Sequence, residues 1–351
     1  MRKQPRIKLL VIAVTAISVS CLIAFAPRTG AQSKRLTPQK SQPRSSPTPP
    51  DQQLEEGDTL RINTELVTLT ATVTDARGRY VANLKQSDFT VYEDGVKQDL
   101  AYFNTGDRVP VSLGIIFDTS GSMIDKIEGV QDAVEHFVKS VSPGDEIFLI
   151  RFSEDADLVQ DFTDDRRRIL RAVEHLEPQG STALYDAVVL GLERIKQGKN
   201  RKRALLLLTD GNDTASGASF DSVVALARRS EVTIYALGIG HGEQGSFGHD
   251  PHGSQDKDTV DMRVLRGFAE PTGGAAYFLE NAHRGGRDLV DEAANEVANE
   301  LKQQYTLGYR PKGGSRDSGF HQIKVETADK SLRVRTKRGY YANRASDTAG
   351  E

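Results

Sequence analysis

Cysteine is nearly absent from this chain of 351 residues: the single one, Cys21, lies inside an apolar run near the amino terminus. Beyond that run nothing can form a disulfide, act as a thiol nucleophile or offer thiolate to a soft metal. Positive charge is also short. The formal charge is −3, and residues 1–31 hold five basic residues (Arg2, Lys3, Arg6, Lys8, Arg28) and no acidic ones, so the remainder carries −8. A chain this acidic is a poor match for nucleic acid, whose phosphates select basic surfaces. No P-loop and no G-x-S-x-G nucleophile elbow occurs. Gly240 to Gly245 satisfies G-x-G-x-x-G, but a loop of Ser, Gly, His and Asp follows where a pyrophosphate-binding helix has to begin. That loop, His241 to Asp261, contains His241, His249 and His252 without the i, i+4 spacing of a helix-borne metal site. Its composition is that of a mobile loop.

The amino terminus is positive and then apolar. Arg2 to Lys8 precede a run from Leu9 to Ala26, and Thr29-Gly30-Ala31 supplies small residues. Residues 1–31 read as a secretory signal cleaved near Ala31, with an uncleaved membrane anchor as the alternative. A lipoprotein signal wants leucine three residues before its cysteine, and Ser18 stands there. The expected location is periplasmic, secreted or cell-envelope associated. Residues 32–57, rich in Pro, Ser and Gln with Pro47, Pro49 and Pro50 at their densest, read as a disordered linker, and 343–351 as a disordered tail.

Between these ends the pattern changes twice. Leu60 to Asp75 alternates apolar and polar residues as a half-buried strand does, and Phe89–Tyr92 and Gln98–Phe103 read as further strands. Residues 58–109 thus form a β unit too small for a secure core of its own. Strand patterns return at Gln304–Tyr309, Phe320–Thr327 and Ser331–Thr336, with a turn at Pro311–Gly314. We expect residues 304–342 to pair with the N-terminal unit in an accessory β-sandwich. From 110 to 303 strands and helices alternate, which predicts an α/β fold with a doubly wound, mostly parallel sheet. Asp155–Phe162 is expected as an antiparallel edge strand. After Ser122 a helix is expected to bury Ile124, Ile127, Val130, Val134, Phe137 and Val141 on one face.

The stretch Val111 to Met123, VSLGIIFDTSGSM, is the centre of this pattern. An apolar strand ends abruptly in Asp118, and Ser120 and Ser122 follow in a D-x-S-x-S array. In open α/β sheets ligands bind where strands end and helices begin. Carboxylate and hydroxyl oxygens at that spacing suit a hard divalent cation. Helix capping is the plainer reading of the same residues. Two further stretches count against capping alone: Gly180 to Ala187, which opens a helix with Thr182, and Ala204 to Gly211, a buried strand ending in Asp210.

With these three stretches, residues 110–301 resemble a von Willebrand factor A (VWA) domain of Rossmann-like fold carrying a metal-ion-dependent adhesion site. The resemblance implies metal ligands at Asp118, Ser120, Ser122, Thr182 and Asp210. The hydroxyls of the serines would bind directly, the others directly or through water. It further implies Mg2+ (or Mn2+ or Ca2+) and a last coordination position taken by an Asp or Glu of a protein or peptide partner. The strand order around the domain also resembles a group of bacterial VWFA-related envelope proteins. The implied function is metal-dependent adhesion or scaffolding in the cell envelope, not enzymatic. A structural envelope protein with a stabilising metal is one alternative, a Mg-dependent hydrolase another. Asp186 reads as a member of a capping network, Asp213 carries no assigned role, and the last helix, Leu289–Lys302, could shift with metal occupancy.

Overall fold

Alternating apolar residues near the amino-terminal side of the described chain build an antiparallel β region: β1 (Val67–Thr74), β2 (Phe89–Glu93), β3 (Val96–Gln98) and β4 (Leu100–Thr105). The computed structural model describes residues 66–105, 109–240, 242–243, 259–280, 287–312 and 319–342. The signal, the linker, the histidine-containing loop, the G-x-G-x-x-G stretch, the Pro311 turn beyond Lys312 and the tail fall wholly or largely outside them. The tight connection from β2 to β3 is Asp94-Gly95, both with positive φ (49° and 80°), the backbone twist that two-residue hairpins require.

The α/β portion follows as β5 (Val111–Asp118), α1 (Ile127–Ser140), β6 (Glu146–Phe152), β7 (Ala156–Thr163), α2 (Arg166–Glu174), α3 (Leu184–Arg194), β8 (Lys202–Thr209), α4 (Phe220–Arg229) and β9 (Thr233–Gly240). A two-residue parallel pair, β10 (Gly242–Glu243) and β11 (Thr259–Val260), leads to α5 (Met262–Ala269), β12 (Ala276–Glu280) and α6 (Arg287–Gln303). One sheet has the order β12-β9-β8-β5-β6-β7, parallel throughout except for β7 at the edge. Helices cover both faces. Leu113, Ile115 and Phe117 of β5 join α1, α2 and α6 in one apolar layer, and Ile116 joins α3, α4 and α5 in the other. Strands buried on both faces explain the unbroken apolar runs of β5, β8 and β9.

The chain then closes with β13 (Tyr305–Tyr309), β14 (Phe320–Thr327), β15 (Arg333–Thr336) and β16 (Gly339–Tyr341). These strands interleave with the first four in two antiparallel sheets, β15-β1-β13-β4 and β16-β14-β2-β3. The sheets share a core of Val67, Leu69, Val91, Leu307, Ile323 and Val325, with the rings of Phe89 and Tyr305 5.0 Å apart. Neither terminal segment could bury its apolar face alone; together they do.

One expectation needs correction. Ile124 is not on the buried face of α1: it is 60% exposed, and Met123 is fully buried in its place. The helix starts only at Ile127, and a 3-10 turn at Gly121–Met123 precedes it. Three residues per turn rather than 3.6 shifts the phase of the apolar pattern, so the face read backward from α1 points the wrong way.

Candidate functional site

The chain runs from β5 through α1 to β6 on one side, then crosses back so that β8 lies on the other side of β5. This reversal makes the crevice between the ends of β5 and β8 the switch point of the sheet, where open α/β folds place their ligands. Asp118 ends β5, and Asp210 follows Thr209, the last residue of β8. Both carboxylates are buried.

The loops around them are tied to one another. Gly121 N–H donates to the Gly180 carbonyl (3.0 Å) and Gln179 N–H to the Thr119 carbonyl (2.7 Å), joining the first and second stretches. The Thr182 carbonyl accepts from Thr214 and Ala215 N–H (2.8 and 3.0 Å), and Thr182 N–H donates to Thr214 Oγ1 (2.9 Å), joining the second to the third. Gly180 and Gly211 have φ of 76° and 81°, which side chains with a Cβ rarely adopt. Thus β5, β8 and the turn before α3 deliver Asp118, Ser120, Ser122, Thr182 and Asp210 to one end of the sheet.

Their polar atoms are unevenly satisfied. Asp118 Oδ1 accepts from Ser120 N–H (2.8 Å), and its Oδ2 accepts from Thr209 Oγ1 (2.6 Å). The Ser120 and Ser122 hydroxyl oxygens are 3.1 Å apart. Asp210 Oδ1 accepts from Asn212 N–H (3.0 Å), whereas Oδ2 is buried and has no hydrogen-bond partner among the described residues. Burial, reinforced by the negative charge of Asp210, pushes the Asp118 carboxyl up to about 7. Buried like charges with an orphaned oxygen are costly unless something positive accompanies them. Every donor in the set is a hard oxygen, so the residues present fit a divalent cation of the magnesium or calcium class.

Two neighbouring carboxylates serve the loops instead. Asp186 accepts from Gly217 and Ala218 N–H (2.8 and 2.9 Å). Asp213 Oδ1 accepts from Tyr185 N–H (3.2 Å) and the Ser216 hydroxyl (2.5 Å), capping the start of α3 from across the site. Thr209 is the member that sequence reasoning passed over. Its hydroxyl holds Asp118 and accepts from Gly211 N–H (3.1 Å). The only signal was its place between the strand and Asp210.

A second group was invisible in the sequence. Glu93, Asp94 and His321 place their ligating atoms within 4.8 Å of one another. Here His321 Nδ1 lies 2.8 Å from Asp94 Oδ2, and the Tyr309 hydroxyl donates to Glu93 Oε2 (2.5 Å). The contacts join β14 to the β2–β3 hairpin across 227 residues of chain, a separation no local pattern reports.

Residues 113–212 match the family described as the von Willebrand factor type A domain. The chain contains a von Willebrand factor type A domain. An uncharacterized protein of Synechocystis sp. is 27% identical over 179 residues, half of this chain and 39% of that one. One of Borreliella burgdorferi is 28% identical over 183 residues, 48% of this chain and 53% of that one. The chain thus spans about two fifths to one half of the length of these relatives. Among solved structures, a von Willebrand factor type A protein from Catenulispora acidiphila is 13% identical, covers 80% of this chain and 75% of its own, and superposes with a TM-score of 0.46. Type A domains commonly bind a divalent metal. The β-sandwich lies outside the matched residues of the type A domain.

Proposed function

We propose that the type A domain is a cation-dependent binding module of an exported, envelope-associated protein. Asp118, Ser120, Ser122, Thr182 and Asp210 would hold a divalent ion, magnesium first, with manganese or calcium as alternatives. The observation that carries the reading is Asp210 Oδ2, buried without a donor among the described residues, beside a second buried carboxylate and the hydrogen-bonded Ser120 and Ser122 hydroxyls. When bound, the ion supplies a Lewis-acidic position that a carboxylate from a partner protein or peptide can occupy. The chain's own residues do the rest. Thr209 and Ser120 N–H fix the Asp118 carboxylate, and the Gly121–Gly180 bond holds the hydroxyl loop in place before any partner arrives.

Those inter-loop bonds favour binding over a purely structural ion, because the loops are already joined through the backbone. They also favour binding over hydrolysis. Asp186, a nearby carboxylate that could serve as a base, spends both oxygens on backbone N–H groups. The proposed export rests on residues 1–31; sequencing the amino terminus of protein recovered from the envelope fraction tests it, and a terminus near Ser33 supports cleavage.

Calorimetric titration of magnesium and manganese into the chain, beside an Asp118→Ala variant, tests the site. One binding event that vanishes in the variant while its melting temperature stays close to the parent's is the expected result. Identical titrations would refute the assignment of these residues. Lost binding with a collapsed melting temperature would favour the structural alternative.

A further inference from the structure

Among the described residues, four exposed acids stand on the loops around the switch point. Asp125 follows the hydroxyl loop, Glu154 and Asp155 follow β6, and Glu177 precedes Thr182; all four are exposed. Glu154 reaches across the second loop: a Cβ on Gly180 would lie 3.0 Å from its Cγ. Two basic residues also stand near the site. Lys126 is buried, and Arg263, in the first turn of α5, is paired with Asp261 at 3.1 Å. Amid the carboxylates stands Ile124, two residues past Ser122 and 60% exposed.

We propose, building on the cation-dependent reading above, that the carboxylate completing the site comes from a basic protein segment, one Asp or Glu flanked by Lys or Arg. A carboxylate approaching this face is attracted by the cation and repelled by four exposed acids. A neutral or acidic partner gains only the first term. Flanking cations turn the second into attraction and speed encounter. Screening limits the range to about 10 Å at 0.1 M salt. An extended chain advances about 3.3 Å per residue, so the flanking cations lie within roughly three positions of the coordinating acid. Ile124 offers that segment an apolar contact beside the ion. The same electrostatics disfavours acidic polysaccharides, although each of their carboxylates could in principle coordinate.

Three capped peptides test this on the full chain: Lys-Gly-Asp-Gly-Lys, Ser-Gly-Asp-Gly-Ser, and Lys-Gly-Asn-Gly-Lys. NMR titration with and without magnesium at 50 mM salt reads affinities down to the millimolar range. The expected result is that the first peptide binds about tenfold tighter than the second, only with magnesium, and that the gap narrows as salt rises. The third should show no magnesium dependence. In an E154Q/D155N/E177Q variant the first two peptides should converge while magnesium binding alone stays at the parental level. Equal affinity of the first two peptides in the parent overturns the proposal, as does equal magnesium-dependent binding of alginate. Equal binding of the first and third shows an acidic patch acting without coordination and overturns it too. If magnesium alone gives no signal that Asp118→Ala removes, the cation reading itself has failed, and this proposal falls with it.

Discussion

Two ends of the parallel sheet bury carboxylates in opposite ways. Near the sandwich, Glu300 of α6 is fully buried and fully answered. It accepts from the Thr72 hydroxyl (2.8 Å), the Tyr235 hydroxyl (2.7 Å) and the Tyr80 hydroxyl (3.2 Å), and pairs with Arg335 of β15. Burial and the Glu300 charge hold the Tyr235 phenol well above its usual range, so it stays a neutral donor. These partners come from β1, the loop after it, β9 and β15, so one acid fastens the accessory sandwich to the type A domain. At the other end Asp118 and Asp210 face each other with hydroxyls, a raised carboxyl and an orphaned oxygen. The contrast teaches how to separate an acid that holds a fold from one poised for a ligand. Burial is the same in both; what differs is whether the chain supplies the compensating donors.

The largest expected effect comes from breaking the satisfied end. Arg335→Ala leaves Glu300 buried without its cation, and urea unfolding should show a loss of about 3 kcal/mol. Magnesium affinity should change little, because the substitution is at the far end of the sheet. A parental unfolding midpoint would show that the hydroxyls alone suffice.

At the unsatisfied end the sign reverses. Asp210→Asn removes a like charge from beside Asp118 and should raise metal-free stability by about 1–2 kcal/mol while abolishing magnesium-induced stabilisation. Melting curves in chelator and in magnesium measure both effects. A loss of stability in chelator would mean that the pair is not repulsive.

Acidity sharpens the same point. The Asp118 carboxyl is raised from 3.8 to about 7, so the folded chain holds a proton that the unfolded chain has released. Metal-free stability should therefore fall as pH rises from about 4 to 7 and level off above that, with no such penalty below the unfolded value. Asp118→Asn should flatten this slope. In the parent, magnesium should stabilise at pH 8 and do little at pH 5, since the ion competes with the proton. The smallest effect is expected for Ile124→Ser, within about 0.5 kcal/mol in melting experiments, since the side chain is already in water.

Much of the fold was legible because its signals are local. The apolar runs of β5, β8 and β9, the 3.6-residue periodicity of α1 and α6 and the alternation in β1 and β14 each follow from which faces are buried. The five oxygen-bearing residues were legible as types at strand ends and in one helix-opening turn. Ile124 was misread because a 3-10 turn broke the period, and Thr209 was overlooked because a hydroxyl on a strand end has many ordinary uses. The Glu93–Asp94–His321 group and the Glu300 network were out of reach, since each depends on register between strands far apart in the chain.

The residue order by itself determined the alternation of strands and helices, the acidic balance and the placement of Asp118 and Asp210 at the ends of apolar strands, because burial of backbone and side chain acts over a few residues at a time. Only the tertiary structure decided that β8 returns beside β5 and makes those two ends neighbours. Only there do four segments converge on Glu300, while Asp210 Oδ2 is left without a donor among the described residues. The physical reason is that compensation of a buried charge is a property of everything packed around it, and no single stretch of chain contains that information.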